Sequence, residues 1–145
     1  MLKEVRILLV EDNEGDIVLT MEALKEAKIR NEIDVVKDGE AALQFLRKAG
    51  VYKEASTPDL IFLDINLPKI DGMEILSIIK NDEQLKVIPV IMLTTSDAER
   101  DIMKSYYNHA NCYITKPVDL DKFMSIIQTI KNFWINIVKL PKTND

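Results

Sequence analysis

The 145 residues are enough for one compact domain and too few for two. At 47% hydrophobic and 30% charged the composition excludes a disordered chain, and a formal net charge of −5 with no basic run argues against nucleic acid as a partner. The longest apolar runs are strand-sized and charges interrupt the N-terminal stretch that a signal peptide needs, so a cytoplasmic protein without a membrane segment is expected.

In chain order, Arg6 to Val10 holds a continuous apolar run, the mark of a strand covered on both faces. Ile17, Met21, Leu24 and Lys28 then share one helical face, which Ala27 extends. Asn31 to Val36 reads as a second strand. Asp38 is a good N-cap for a helix running through Ala42, Leu43 and Leu46. Lys48 to Pro58, with Gly50, Ser56 and Thr57, reads as a loop. Leu60 to Leu63 is a third strand ending at Asp64. Pro68 and Gly72 punctuate the next loop, and Met73, Leu76 and Ile79 mark the third helix. Pro89 to Leu93 is the fourth strand. Ser96 and Glu99 fit a capping box for a fourth helix. The lone His109 has no second histidine or neighbouring thiol for a zinc site and reads as a surface or helix-end residue. Cys112 to Ile114 is a short fifth strand. Cys112, the single cysteine, excludes an intrachain disulfide and reads as a small core residue. Asp119 caps a last helix with Phe123, Ile126, Ile127, Ile130 and Phe133 facing inward. The repeated βα order predicts an α/β fold: a five-stranded parallel sheet, flavodoxin-like and doubly wound, with strand order 2-1-3-4-5.

Ligands in such a sheet bind beyond the carboxyl ends of the strands. Glu11 and Asp12 follow strand one, Asp64 follows strand three, Thr94 strand four and Lys116 strand five. Taken singly, each has a plain explanation. Asp12 or Asp16 can cap the first helix, Thr94 can simply end a strand, and Lys116 can be a solvated charge. Four strand ends agreeing on one pocket are harder to explain that way. Three gathered carboxylates repel by about 4 kcal/mol per pair at about 4 Å, and a hard divalent cation such as magnesium relieves this. A carboxylate nucleophile, a cation, a lysine and a hydroxyl donor together suit a transferring phosphoryl group.

These residues resemble the receiver domains of two-component response regulators. Glu11-Asp12 is similar to the acidic pair, Asp64 to the phosphoacceptor, Thr94 to the switch hydroxyl, and Lys116-Pro117 to the lysine with its proline. Leu63 to Pro68 with Asp71-Gly72 resembles the phosphorylation loop, and Tyr113 falls on the aromatic switch position. The likeness covers residues 5 to about 133 of a single 1–145 receiver domain and leaves 134–145 as an extension. Within the family it is nearest to small regulators that partner bacterial phytochromes, through the long Lys48–Pro58 loop, Leu93 to Ser96 and Phe133-Trp134-Ile135.

The resemblance implies Mg2+ ligated by Asp12, Asp64 and the Asn66 backbone carbonyl, with Glu11 acting through water. Lys116 would pair with the phosphoryl group. It also implies a sensor histidine kinase, of the phytochrome type, as donor. Thr95 departs from the small residue common at that position, which leaves the lifetime of the phosphorylated state open. The expected switch moves Thr94 inward and lets Tyr113 turn in behind it. Output is expected through protein contacts, because no output domain follows helix five within these residues. Apolar residues on helix four and beyond helix five suggest a homodimer or partner face. Two rivals remain at this level. A haloacid-dehalogenase-type phosphatase needs an aspartate where Asn66 stands. An unphosphorylated receiver-like scaffold would need none of the pocket residues.

Overall fold

In the computed structural model, residues 5–26, 31–94, 109–110 and 112–115 are described. The apolar run near the N-terminus forms β1 (Val5–Val10), in which Leu8 and Leu9 are wholly buried. Glu14–Glu26 is α1, Asn31–Val36 is β2 and Gly39–Leu46 is α2. Leu60–Asp64 is β3, buried at every position, and Gly72–Lys80 is α3. Val90–Thr94 is β4 and Cys112–Thr115 is β5. The strands pair in parallel in the order β2-β1-β3-β4-β5. The positions expected for a fourth helix from Ser96 and a fifth from Asp119 lie outside the described residues.

Alternation along the strands divides the core between two faces. Leu8, Val10, Ile61, Leu63, Val90 and Met92 join one cluster with Leu43 and Leu46 of α2 and Ile75, Leu76 and Ile79 of α3. Phe62, Ile91 and Leu93 are equally buried but point the other way. Fully burying a leucine or isoleucine stabilises the fold by about 2 kcal/mol, so α3, with three such residues, is firmly seated.

Short polar residues start the helices. Asp38 caps α2 by accepting a hydrogen bond from the Ala41 N–H at 2.7 Å, as its place before an apolar helical stripe predicts. Asp71 caps α3 in the same way, accepting from the Met73 N–H at 2.7 Å. At α1 the cap is neither Asp12 nor Asp16. The Asn13 side chain accepts from the Asp16 N–H at 2.9 Å, and its carbonyl from the Ile17 N–H at 2.9 Å.

Two further details differ from the sequence reading. Met21 is 38% exposed, because the buried stripe of α1 runs through Ile17, Thr20, Ala23 and Leu24 and leaves Met21 at its margin. The loop from Lys48 to Pro58 also contains a 3-10 turn at Gly50–Tyr52. Its Tyr52 ring sits 5.4 Å from that of Phe45 and ties the loop to the end of α2. Among the described residues no helix is long and apolar enough to cross a membrane.

Candidate functional site

The carboxyl ends of β1 and β3 are neighbours, since Val10 is in register with Leu63. Val10 and Leu63 are therefore each followed, at the same level, by an acid: Glu11 just beyond β1 and Asp64 as the last residue of β3. The Glu11 N–H donates to the Val36 carbonyl at 3.0 Å, which holds the backbone in line with β2 just beyond the strand. Glu11 is 1% exposed and Asp64 5%, whereas Asp12 is exposed. One carboxylate oxygen from each of Glu11, Asp12 and Asp64 lies within 4.8 Å of the other two. At that spacing each like-charged pair repels by roughly 3 kcal/mol at an effective dielectric near 20. This all-oxygen donor set, charged and partly open to water, fits a hard divalent cation.

Local bonds aim the two buried acids. The Asn13 N–H donates to Glu11 Oε2 at 3.2 Å, so the residue that caps α1 also steadies the inner carboxylate. The Asn66 N–H lies 3.4 Å from Asp64 Oδ1 and donates to it, which orients the last side chain of β3. The N-terminus of α1 follows directly and adds positive potential.

Gly72 sets the geometry of the loop after Asp64. Its N–H donates to the Ile65 carbonyl at 2.9 Å. A Cβ at this position would stand 2.1 Å from the Asp64 carbonyl oxygen and 2.7 Å from the Ile65 Cα. Only glycine lets α3 begin directly against the backbone of the acidic strand end. Outside the pocket, Lys69 lies 3.7 Å from both Asp38 and Glu40, and Lys37 pairs with Glu14, so two surface cations on the surrounding loops are engaged with acids.

The structure thus brings Glu11, Asp12 and Asp64 together as the sequence predicts. Thr94 ends β4 in register with Thr115, and Asp64 is in register with Leu93, so the backbones of β3, β4 and β5 finish side by side. The side chains of Thr94 and Tyr113 lie outside the described part of the structure, as do Lys116, Pro117 and Thr95 in full. His109 is exposed and has φ of 69°, in keeping with a surface turn. Cys112 stands at the start of β5. Sequence reasoning missed the close approach at Gly72 and the double role of Asn13. The Asp71-Gly72 pair was visible as a motif, but the 2.1 Å approach that requires glycine belongs to tertiary packing.

Comparison with known proteins gives a consistent picture. Residues 7–128 match the family model described as the response regulator receiver domain. The response regulator Rcp1 of Synechocystis sp. is 47% identical over 135 residues, spanning 93% of this chain and 92% of that protein. The crystal structure of Mn(2+)-bound Rcp1 superposes with a TM-score of 0.86 at 46% identity, covering 95% of this chain and 99% of that one. The phosphorylated cyanobacterial phytochrome response regulator RcpA superposes with a TM-score of 0.88 at 48% identity, covering 97% and 100%.

Proposed function

The chain belongs to the response regulator receiver domain family, and from that premise we propose that it is a phosphorylation-activated switch whose acceptor is Asp64. The observation that carries the reading is the convergence of Glu11, Asp12 and Asp64 within 4.8 Å at the ends of two adjacent parallel strands. In this reading Asp12, Asp64 and the Asn66 carbonyl hold a divalent ion, magnesium in the cell, and Glu11 acts through a retained water. The manganese-bound form of Rcp1 and the phosphorylated form of RcpA support both halves of the reading.

The Asp64 carboxylate would attack the phosphorus in line, its O–P bond forming as the P–N bond to the kinase histidine breaks and the imidazole leaves; a divalent ion held by these acids would supply charge neutralisation. Asn66 keeps that carboxylate aimed, and the tight Gly72 contact keeps the loop from drifting. Lys116 would pair with the bound phosphoryl group. Thr94 and Tyr113 would carry the change to the surface, Thr94 by bonding a phosphoryl oxygen and Tyr113 by turning into the space released. In this reading the phosphoryl donor is a histidine kinase, and the likeness to the phytochrome response regulator RcpA supports one of the phytochrome type. The protein acts in the cytoplasm as a signalling protein, not as a turnover enzyme, within one receiver domain spanning 1–145. In this reading the receiver core runs from 5 to about 133, and the apolar residues of the expected fourth helix and of the 134–145 extension would contact a second copy or a downstream protein.

The deciding experiment compares the parent with Asp64→Asn in acetyl phosphate and magnesium. The parent should gain one acid-labile phosphate and the variant none. Equal uptake by the variant would remove Asp64 as the acceptor. Binding of beryllofluoride to the parent alone separates a working pocket from an inert scaffold.

A further inference from the structure

The loop that follows Asp64 is a closed ring with little slack. The Gly72 N–H returns to the Ile65 carbonyl at 2.9 Å and ties its two ends together. Inside the ring the Leu67 N–H donates to the Ile65 carbonyl at 3.1 Å and the Ile70 N–H to the Pro68 carbonyl at 2.9 Å, each bond closing a three-residue γ-turn. Lys69, at the centre of the second turn, has φ of 69°, the rarer and more strained form. The head of α2 packs against this ring from outside. A Cβ at Gly39 would stand 2.9 Å from the Ile70 carbonyl oxygen and 2.8 Å from Ile75 Cδ1. Nearer the solvent, Lys69 Nζ lies 3.7 Å from the carboxylates of Asp38 and Glu40, the two residues that flank Gly39.

We propose that Gly39 is a positioning residue for the metal site, and that the head of α2 is the buttress against which the loop after Asp64 is set. The inference rests on the reading in which the Asn66 carbonyl helps to hold the ion. Gly39 touches neither the ion nor the phosphoryl group and acts through Ile70. Because the ends of the ring are tied and two γ-turns shorten it, a push on the Ile70 carbonyl meets no loose segment that could absorb it. The displacement passes round the ring to Asn66, whose N–H also donates to Asp64 Oδ1. Magnesium demands near-ideal placement of its oxygens, so a small shift of that carbonyl is felt at the ion. The contacts of Lys69 with Asp38 and Glu40 hold the same two segments together, more weakly, because Lys69 and Glu40 are exposed.

The test titrates Mg2+ into metal-free Gly39→Ala by calorimetry, with its fold verified by circular dichroism. Its affinity should fall about tenfold, the scale on which groups that orient a metal ligand act. Ile79→Val, a change in the buried face at the far end of α3, should lose stability and keep the parent's affinity. An unchanged affinity in folded Gly39→Ala, or an equal loss in Ile79→Val, overturns the proposal. Lys69→Ala, an exposed change that leaves the core intact, decides the matter if Gly39→Ala does not fold. Its Mg2+ affinity should fall about threefold, and no fall there overturns the proposal. Asp12→Asn separates this inference from the reading beneath it. A loss of affinity in Asp12→Asn with none in Gly39→Ala removes the buttress alone, whereas no binding by the parent removes the metal reading and the buttress with it.

Discussion

The two ends of the one parallel sheet solve opposite problems. At the amino end, polar groups find partners of opposite character close by: Asp59 accepts from the Arg6 N–H at 3.0 Å, and Lys80 donates to two carbonyls. At the carboxyl end, like charges are brought together, with Glu11 and Asp64 buried and Asp12 beside them. The contrast teaches that the carboxyl end is organised around chemistry and the amino end around stability. The core between them, with Leu8, Ile61 and Val90 wholly buried, is indifferent to the distinction.

The sharpest way to break this contrast is Gly72→Ala. The new Cβ would meet backbone 2.1 Å away, which no rotamer change relieves. We expect a loss of about 3 kcal/mol or more in urea-induced unfolding, together with loss of metal binding. Next comes Asp12→Asn, which removes one charge from the acidic cluster with little effect on packing. Its affinity for Mg2+ or Mn2+ should fall at least about tenfold by calorimetry, while stability without metal holds or rises as repulsion drops. An unchanged affinity would mean that Asp12 does not touch the ion. Asp71→Ala removes a helix cap and should cost about 1 kcal/mol.

Lys80 tests the other end through pH. Its folded value of about 8 lies below the ordinary 10.5. Below pH 8 both folded and unfolded chains carry the proton, and the cost of burying the charge is fully present. Between about 8 and 10.5 the folded chain has released its proton and the unfolded chain has not, so stability from this group rises with pH. Relative to Lys80→Met, the parent should gain stability across that interval in denaturant titrations. A flat difference would remove burial as the cause. The smallest effect belongs to Glu14→Gln at the exposed pair with Lys37, expected at about 0.5 kcal/mol or less.

Much of this was legible in the chain itself, for identifiable reasons. Strands β1 and β3 are uninterrupted apolar runs because both of their faces are covered, and an acid directly after such a run stands out. Asp38 was readable as a cap because it alone precedes its stripe. The cap of α1 was not, because Asp12, Asn13 and Asp16 are chemically similar, and tertiary structure decides among them by drawing Asp12 into the acidic cluster. Met21 has helical spacing but lies beyond the width of the buried stripe. Gly72 and Lys80 depend on how the turns beside α3 bring nearby backbone back against them, Asp64 and Ile65 at Gly72 and the Lys86 and Ile88 carbonyls at Lys80, which no apolar periodicity encodes.

The 3-10 turn at Gly50–Tyr52 has a practical use. Helix α2 starts beside the carboxyl ends of the strands and runs away from them, so this turn stands at the far side of the domain, where Val51 is 90% exposed. A dye or affinity tag carried there could immobilise the protein with its reactive rim facing outward, leaving it accessible to whatever donates or reads the signal.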